Sequence, residues 1–255
     1  MKIYIILMGN LCNQFLQVAS ILSYKFQHEE CEFILVNGSP HHHNNIFTCL
    51  PYAPMPKELK KKCLCLGPKY NFKKIIFEKT ELVQCRFQNY NNFCDDIPKF
   101  RSIFNLDPRP ETLERIEILR EDQQLCFIHV RRGDFLKIKR HNCIIVLPWT
   151  YYENAMKIMQ EKYNNIKFLV FSNDIEYCKE KFVADNIIVM EEECPMETLR
   201  LMMLCDHAII ANSTFSTWAA YYVDGTIIYP GTDGPLRLIP GLKGLYKNSW
   251  IELKF

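Results

Sequence analysis

The chain is predicted to be an α/β protein made of two Rossmann-like lobes facing a cleft, and three observations predict it. From Leu125 onward, short apolar runs alternate with helical patterns at the spacing of parallel strands joined by crossovers. Residues 3–36 carry one more strand–helix–strand pattern. Between these stretches, Pro108, Arg109, Pro110 and charged residues accumulate over 105–123, which sets a division into lobes at 1–115 and 116–255.

Taken in order, Ile3–Met8 is an apolar run stopped by Gly9, as in a buried strand. Gly9–Leu11 then turns into a helix with Phe15, Ala19, Leu22 and Phe26 on one face. Glu32–Val36 reads as the second strand, broken by Asn37-Gly38-Ser39-Pro40. Residues 40–74 are rich in Pro, His, Lys and Cys and have no dominant period, so a loop and small helices both fit. Ile75–Phe77 and Glu81–Arg86 are short strand candidates, and 111–121 is a helix candidate.

The regular half opens with strand 125–130. Thr150-Tyr151-Tyr152-Glu153 has the spacing of a capping box and begins a helix that ends near Tyr163. Strand 167–171, helix 175–182, strand 187–190, helix 195–205, strand 207–210, helix 213–222 and strand 226–229 follow. Parallel strands in this order make an open sheet, which binds ligands beyond its carboxyl ends.

Composition sets outer bounds. The chain has 255 residues, 48% hydrophobic and 24% charged, with a net charge of +2. Such a weak charge argues against nucleic-acid binding by a basic surface. Lys60-Lys61-Lys62 and Lys73-Lys74 read as solvated faces. The longest apolar runs fall short of the ~18 residues of a membrane span, so no transmembrane anchor is expected and the chain reads as cytoplasmic. The twelve cysteines are scattered, several inside apolar runs, so reduced thiols are expected. Cys63-Leu64-Cys65 lacks zinc-knuckle spacing, and nothing near His41-His42-His43 completes a metal site.

Three strand ends carry the chemistry. Strand 125–130 delivers His129, then Arg131, Arg132, Gly133 and Asp134. Paired guanidinium groups at the mouth of a sheet suit a phosphate, since Arg keeps its charge and presents a planar fork. For an isolated Arg-Arg pair, a surface salt bridge would explain as much. Ser213-Thr214-Phe215 opens a helix whose free N–H groups suit an anion, or it is an ordinary cap. Asp174 follows a strand and fits an N-cap of helix 175–182. His129 is either a general base with a pKa near neutrality or a buried His bonded to a loop or ligand. Trp218 belongs to the core, because helix 213–222 must bury a face. Asp95-Asp96 is the nearest thing to a metal-binding pair.

His129-Val130-Arg131-Arg132-Gly133-Asp134-Phe135 resembles the signature of the alpha-1,2-fucosyltransferases, glycosyltransferase family eleven. Gly9-Asn10-Leu11-Cys12-Asn13-Gln14-Phe15 is similar to that family's Gly-x-Leu-Gly-Asn-Gln motif, and Phe171-Ser172-Asn173-Asp174 to its Phe-Ser-Asp-Asp. Asn212-Ser213-Thr214-Phe215-Ser216-Thr217-Trp218 resembles its Asn-Ser-Thr-Phe-Ser-x-Trp, and Phe87-Gln88-Asn89-Tyr90 adds a weaker match. Two positions depart. Cys12 stands where the family has Gly, which would strain a turn needing positive φ there. Asn173 replaces an Asp and removes a charge.

The resemblance implies a GT-B-type fold with a GDP-fucose-binding C-terminal lobe and an acceptor-side N-terminal lobe. It implies inverting, metal-independent transfer of L-fucose from GDP-L-fucose to O-2 of a galactose-terminated glycan, with no cofactor. Arg131 would contact the diphosphate, with Arg132 sharing that role or bracing the site. Asp174 would read the guanine edge, His129 and Ser213-Thr214-Phe215 would line the donor, and Asn13 would hold the donor sugar or the acceptor hydroxyl. The catalytic set is then Arg131, Asn13 and His129, without a metal ligand. Another fucosyl linkage, another GDP-sugar donor, or a non-catalytic nucleotide- or glycan-binding module are the alternatives.

Overall fold

The computed structural model describes residues 1–38, 46–67, 70–137, 146–191, 193–231 and 242–255. His41-His42-His43 and Cys143 lie outside them. The chain divides into two units, Met1–Leu106 and Asp107–Phe255.

Unit 1 is built on β1 (Lys2–Leu7), α1 (Leu11–Lys25), β2 (Glu32–Asn37), β3 (Leu64–Cys65) and β4 (Glu81–Gln84). Its sheet is parallel throughout, in the order β2-β1-β4-β3. Ile3, Ile5, Phe33 and Leu35 are buried on it, and Phe15 of α1 stacks on Phe104 with ring centroids 4.8 Å apart. α1 is buried on nearly every side, so its polar residues need internal partners. Gln17 supplies one such pair, accepting from Met8 N at 3.0 Å and donating to Met8 O at 2.9 Å. Phe26 departs from the expected apolar face: it caps the helix end and is exposed. Ile75–Phe77 is not a strand, and Ile76 points to solvent. A short helix unseen in the sequence, α2 (Ile97–Ile103), precedes the unit's end.

Unit 2 begins with α3 (Pro110–Arg120) and continues through β5 (Gln124–Val130), α4 (Trp149–Lys162), β6 (Ile166–Ser172), α5 (Ile175–Lys181) and β7 (Ile187–Val189). It closes with α6 (Pro195–Met203), β8 (His207–Ile209), α7 (Thr214–Ala220), β9 (Ile227–Pro230) and β10 (Ile251–Leu253). The division falls at Leu106/Asp107, ahead of the 115/116 boundary read from composition. The reason is that α3 is bound within unit 2: Arg115 pairs with Glu193, Arg120 pairs with Asp206, and Lys167 Nζ donates to Leu119 O at 3.0 Å.

All six strands of unit 2 are parallel, in the order β10-β9-β8-β5-β6-β7. The chain thus runs outward from β5 through β6 and β7, then returns to the other side of β5 for β8, β9 and β10. That is the Rossmann order, and its reversal point lies between β5 and β8. Leu125–Ile128 are inaccessible to solvent, as expected of a central strand covered on both faces. The expected capping box is absent. Pro148, in an extended conformation, is the N-cap of α4, which places Thr150 inside the first turn. Trp218 is fully buried, as its helix position required.

Candidate functional site

The reversal point is where the chemistry-bearing residues of unit 2 gather. β5 leaves the sheet at Val130 beside Ser172 of β6. Ser172 Oγ ties the two strand ends together, donating to Val130 O at 2.9 Å and accepting from Asp174 N at 2.9 Å. On the other side, the Phe215 ring lies 5.6 Å from the His129 ring, centroid to centroid. The ends of β5, β6 and β8 therefore bring His129, Arg131, Arg132, Asp174 and the Ser213–Phe215 segment into one locality.

Each of these side chains has a specific state. Arg131 donates through Nη2 to Asp134 Oδ2 at 2.7 Å, and its guanidinium lies 5.3 Å from the Phe135 ring centre. Arg132 is braced instead: Nε donates to Asp174 Oδ2 at 3.0 Å while the guanidinium covers the Tyr177 ring at 3.6 Å. Asp174 is the N-cap residue of α5, but its side chain makes no capping bond, because Arg132 holds it. Ser213 does cap α7, its Oγ accepting from Phe215 N at 3.3 Å.

His129 is buried at the end of β5, as the second of its two expected readings has it. Burial, aided by the Arg131 charge, pushes its pKa down to about 3, so the imidazole is neutral and weakly basic at physiological pH. Its Nδ1 is buried without a partner among the described residues. A buried polar atom of this kind is usually satisfied by something outside the chain.

In unit 1, Gly9 lies in the turn between β1 and α1 with φ +76. Asn13 lies on the first turns of α1, close enough that a Cβ on Gly9 would come within 2.9 Å of its Nδ2. Gln14 Nε2 donates to Gly9 O at 2.9 Å and closes this turn. Cys12 is inside α1, so the positive φ that the motif requires falls on Gly9 and the expected strain at Cys12 is absent. Asp95 and Asp96 are each engaged by a lysine, Lys73 at 2.8 Å and Lys99 at 2.7 Å. Among the described residues no three His, Cys, Asp or Glu side chains are grouped to hold a metal ion.

Asn173, noted in the sequence only as a lost charge, proves to be central. Its amide bonds to the backbone of Arg132 and Gly133 and to the Asp134 carboxylate. No helix among the described residues is long and apolar enough to cross a membrane.

The family model described as glycosyl transferase family 11 matches residues 111–252, nearly the whole of unit 2. An alpha-1,2-colitosyltransferase of Escherichia coli is 32% identical over 149 residues, covering 53% of this chain and 49% of that protein. Galactoside alpha-(1,2)-fucosyltransferase 1 of Saimiri boliviensis boliviensis is 32% identical over 108 residues, 40% of this chain and 30% of that protein. The matched stretches thus span about half or less of these curated relatives. Among solved structures, E. coli heptosyltransferase WaaC with ADP superposes with a TM-score of 0.55 at 9% identity, covering 100% of this chain and 93% of that one. A glycosyl transferase family 9 protein from Veillonella parvula gives 0.52 at 8% identity, with 100% and 86% covered. At such identities these structures establish the fold alone, which is GT-B-type α/β.

Proposed function

Since the chain belongs to glycosyl transferase family 11, we propose that it transfers L-fucose from GDP-fucose to O-2 of a galactose-terminated glycan. The observation that carries this reading is the placement of Arg131 at the reversal point of the unit 2 sheet, held by Asp134. Breaking the sugar–phosphate bond leaves charge on the diphosphate while the sugar gains oxocarbenium character. A fixed guanidinium at that oxygen stabilises the separating charge without a metal. Direct displacement on beta-linked GDP-fucose inverts the anomeric carbon and gives an alpha-fucoside.

The other residues take supporting parts. Arg132, locked to Asp174 and Tyr177, keeps the turn rigid and adds positive potential. The second oxygen of Asp174 is available to the guanine edge. His129, neutral, offers Nδ1 to a donor hydroxyl of the nucleotide. The Ser213–Phe215 segment borders the same locality through the Phe215 ring, while its Ser213 and Phe215 N–H groups are taken by Ala211 O and Ser213 Oγ. Asn13 is assigned to the transferred sugar or the acceptor hydroxyl.

The relative named for colitosyl transfer supports one variant reading, a transferred sugar other than fucose. The two are separated by incubating the protein with lactose and either GDP-fucose or a GDP donor of another deoxyhexose, then measuring GDP by mass spectrometry and the product linkage by NMR. Acceptor-dependent GDP release with an alpha-1,2 product is expected. GDP binding without transfer from either donor would favour a non-catalytic module, and a product of other linkage would overturn the O-2 assignment.

A further inference from the structure

Because β5 and β6 run in register with Val130 opposite Ser172, the turns that follow them lie side by side. Asn173 Oδ1 accepts from Arg132 N at 3.1 Å and from Gly133 N at 3.2 Å, while its Nδ2 donates to Asp134 Oδ1 at 3.1 Å. The other Asp134 oxygen, Oδ2, accepts from Arg131 Nη2 at 2.7 Å. The carboxylate is therefore held at both oxygens, by an amide on one and the guanidinium on the other. Gly133 permits this approach, since a Cβ there would sit 2.8 Å from Asn173 Nδ2.

We propose that Asn173 is a positioning residue, which fixes the Asp134 carboxylate and through it the guanidinium of Arg131. The proposal rests on the assignment of Arg131 to the diphosphate. In this chain a primary amide makes every bond of the place: its oxygen takes two backbone N–H groups while its nitrogen donates to a carboxylate. An Asp at 173 keeps the acceptor and loses the donor, setting two carboxylates against each other. Such a pair relaxes by moving apart, or shares a proton when the pH is low enough. The charged groups around the pair are Arg131, which bonds Asp134, and Arg132, which is already matched by Asp174.

The test is GDP affinity by calorimetry for the wild type, Asn173→Ala and the isosteric Asn173→Asp between pH 5.5 and 8, with a thermal melt at each pH to confirm folding. Asn173→Asp should bind GDP about tenfold more weakly than wild type at pH 8 and regain most of that loss at pH 5.5, as a shared proton restores the bond to Asp134. Asn173→Ala should be weakened by a similar factor at every pH. Folded variants that bind like the wild type throughout would overturn the proposal. If the wild type itself fails to bind GDP, the diphosphate assignment falls. The relay is then read from the Arg131 guanidinium NMR signals, distinct for the held arm in the wild type and averaged in Asn173→Ala. Identical signals in the two would overturn it.

Discussion

Arg132 and Asp174 form a closed pair: Nε to Oδ2 is 3.0 Å, with both side chains about three-quarters withdrawn from solvent. The neighbouring Arg131 is tied to Asp134, whose side chain is 48% exposed, so its cation is the less neutralised of the two. The two arginines should therefore separate on mutation. Arg131→Ala should weaken GDP binding by about 1.5–3 kcal/mol, the worth of a charge-assisted bond to phosphate. Arg132→Ala should lower the melting temperature more and GDP affinity less, since it leaves a partly buried carboxylate unpaired. Calorimetry and thermal melts on both variants decide this, and the reverse order would exchange their roles.

Transfer should survive EDTA. The proposed diphosphate contact is the Arg131 guanidinium, and Asp95 and Asp96 are each occupied by a lysine. A rate that collapses with chelator and returns with manganese or magnesium would point to carboxylate ligands beyond those described.

Asn13→Ala should lose about tenfold or more in turnover, roughly 1.4 kcal/mol, while GDP affinity stays within a few-fold. The residue belongs to unit 1, whereas the family match and the arginines belong to unit 2. An interaction strengthened only in the transition state lowers kcat and leaves ground-state binding nearly intact. Equal loss of GDP binding in Asn13→Ala and Arg131→Ala would end this division of labour.

The described cysteines are all free thiols, and Cys12, Cys31, Cys85, Cys126, Cys178 and Cys205 are buried. Burial also pushes the Cys12 and Cys126 thiols up, away from the reactive thiolate. A thiol reagent should therefore react first at exposed Cys65 and Cys194, and with nearly all twelve cysteines after denaturation without reductant. Recovery of only a few would mean disulfides.

The parts legible in the sequence were those coded locally. Leu125–Ile128 is an uninterrupted apolar run, and His129, Val130 and the arginines follow it directly, so strand, strand end and charge were all readable. β10 was missed because Ile251–Leu253 is three residues with a charged centre, too short for any period. The start of α4 was misplaced because Thr150 imitates a cap, while the chain enters the helix through extended Pro148. What could not be read were partnerships created by register. Arg132 meets Asp174, 42 residues away, only because β5 and β6 align at Val130 and Ser172. The same alignment turned Asn173 from a missing charge into a ligand for the arginine turn.

His129 should make the protein sensitive to acid. In the folded chain its pKa lies at about 3, against about 6.5 for an unperturbed imidazole. Above pH 6.5 both folded and unfolded forms are neutral there and the full stability is present. As the pH falls from 6.5 toward 3, the unfolded chain takes up a proton that the buried ring refuses. Stability should then decline by up to about 1.4 kcal/mol per pH unit from this residue, levelling off below about pH 3. His207, whose pKa is lowered by its own burial, acts in the same direction but is present in wild type and variant alike. The difference between wild type and His129→Asn therefore isolates His129. Denaturant unfolding from pH 7.5 to 5 should show the wild type losing about 1–2 kcal/mol more than the variant. Parallel stability curves would mean that the ring is protonated in the folded state, and would return His129 to the list of possible bases.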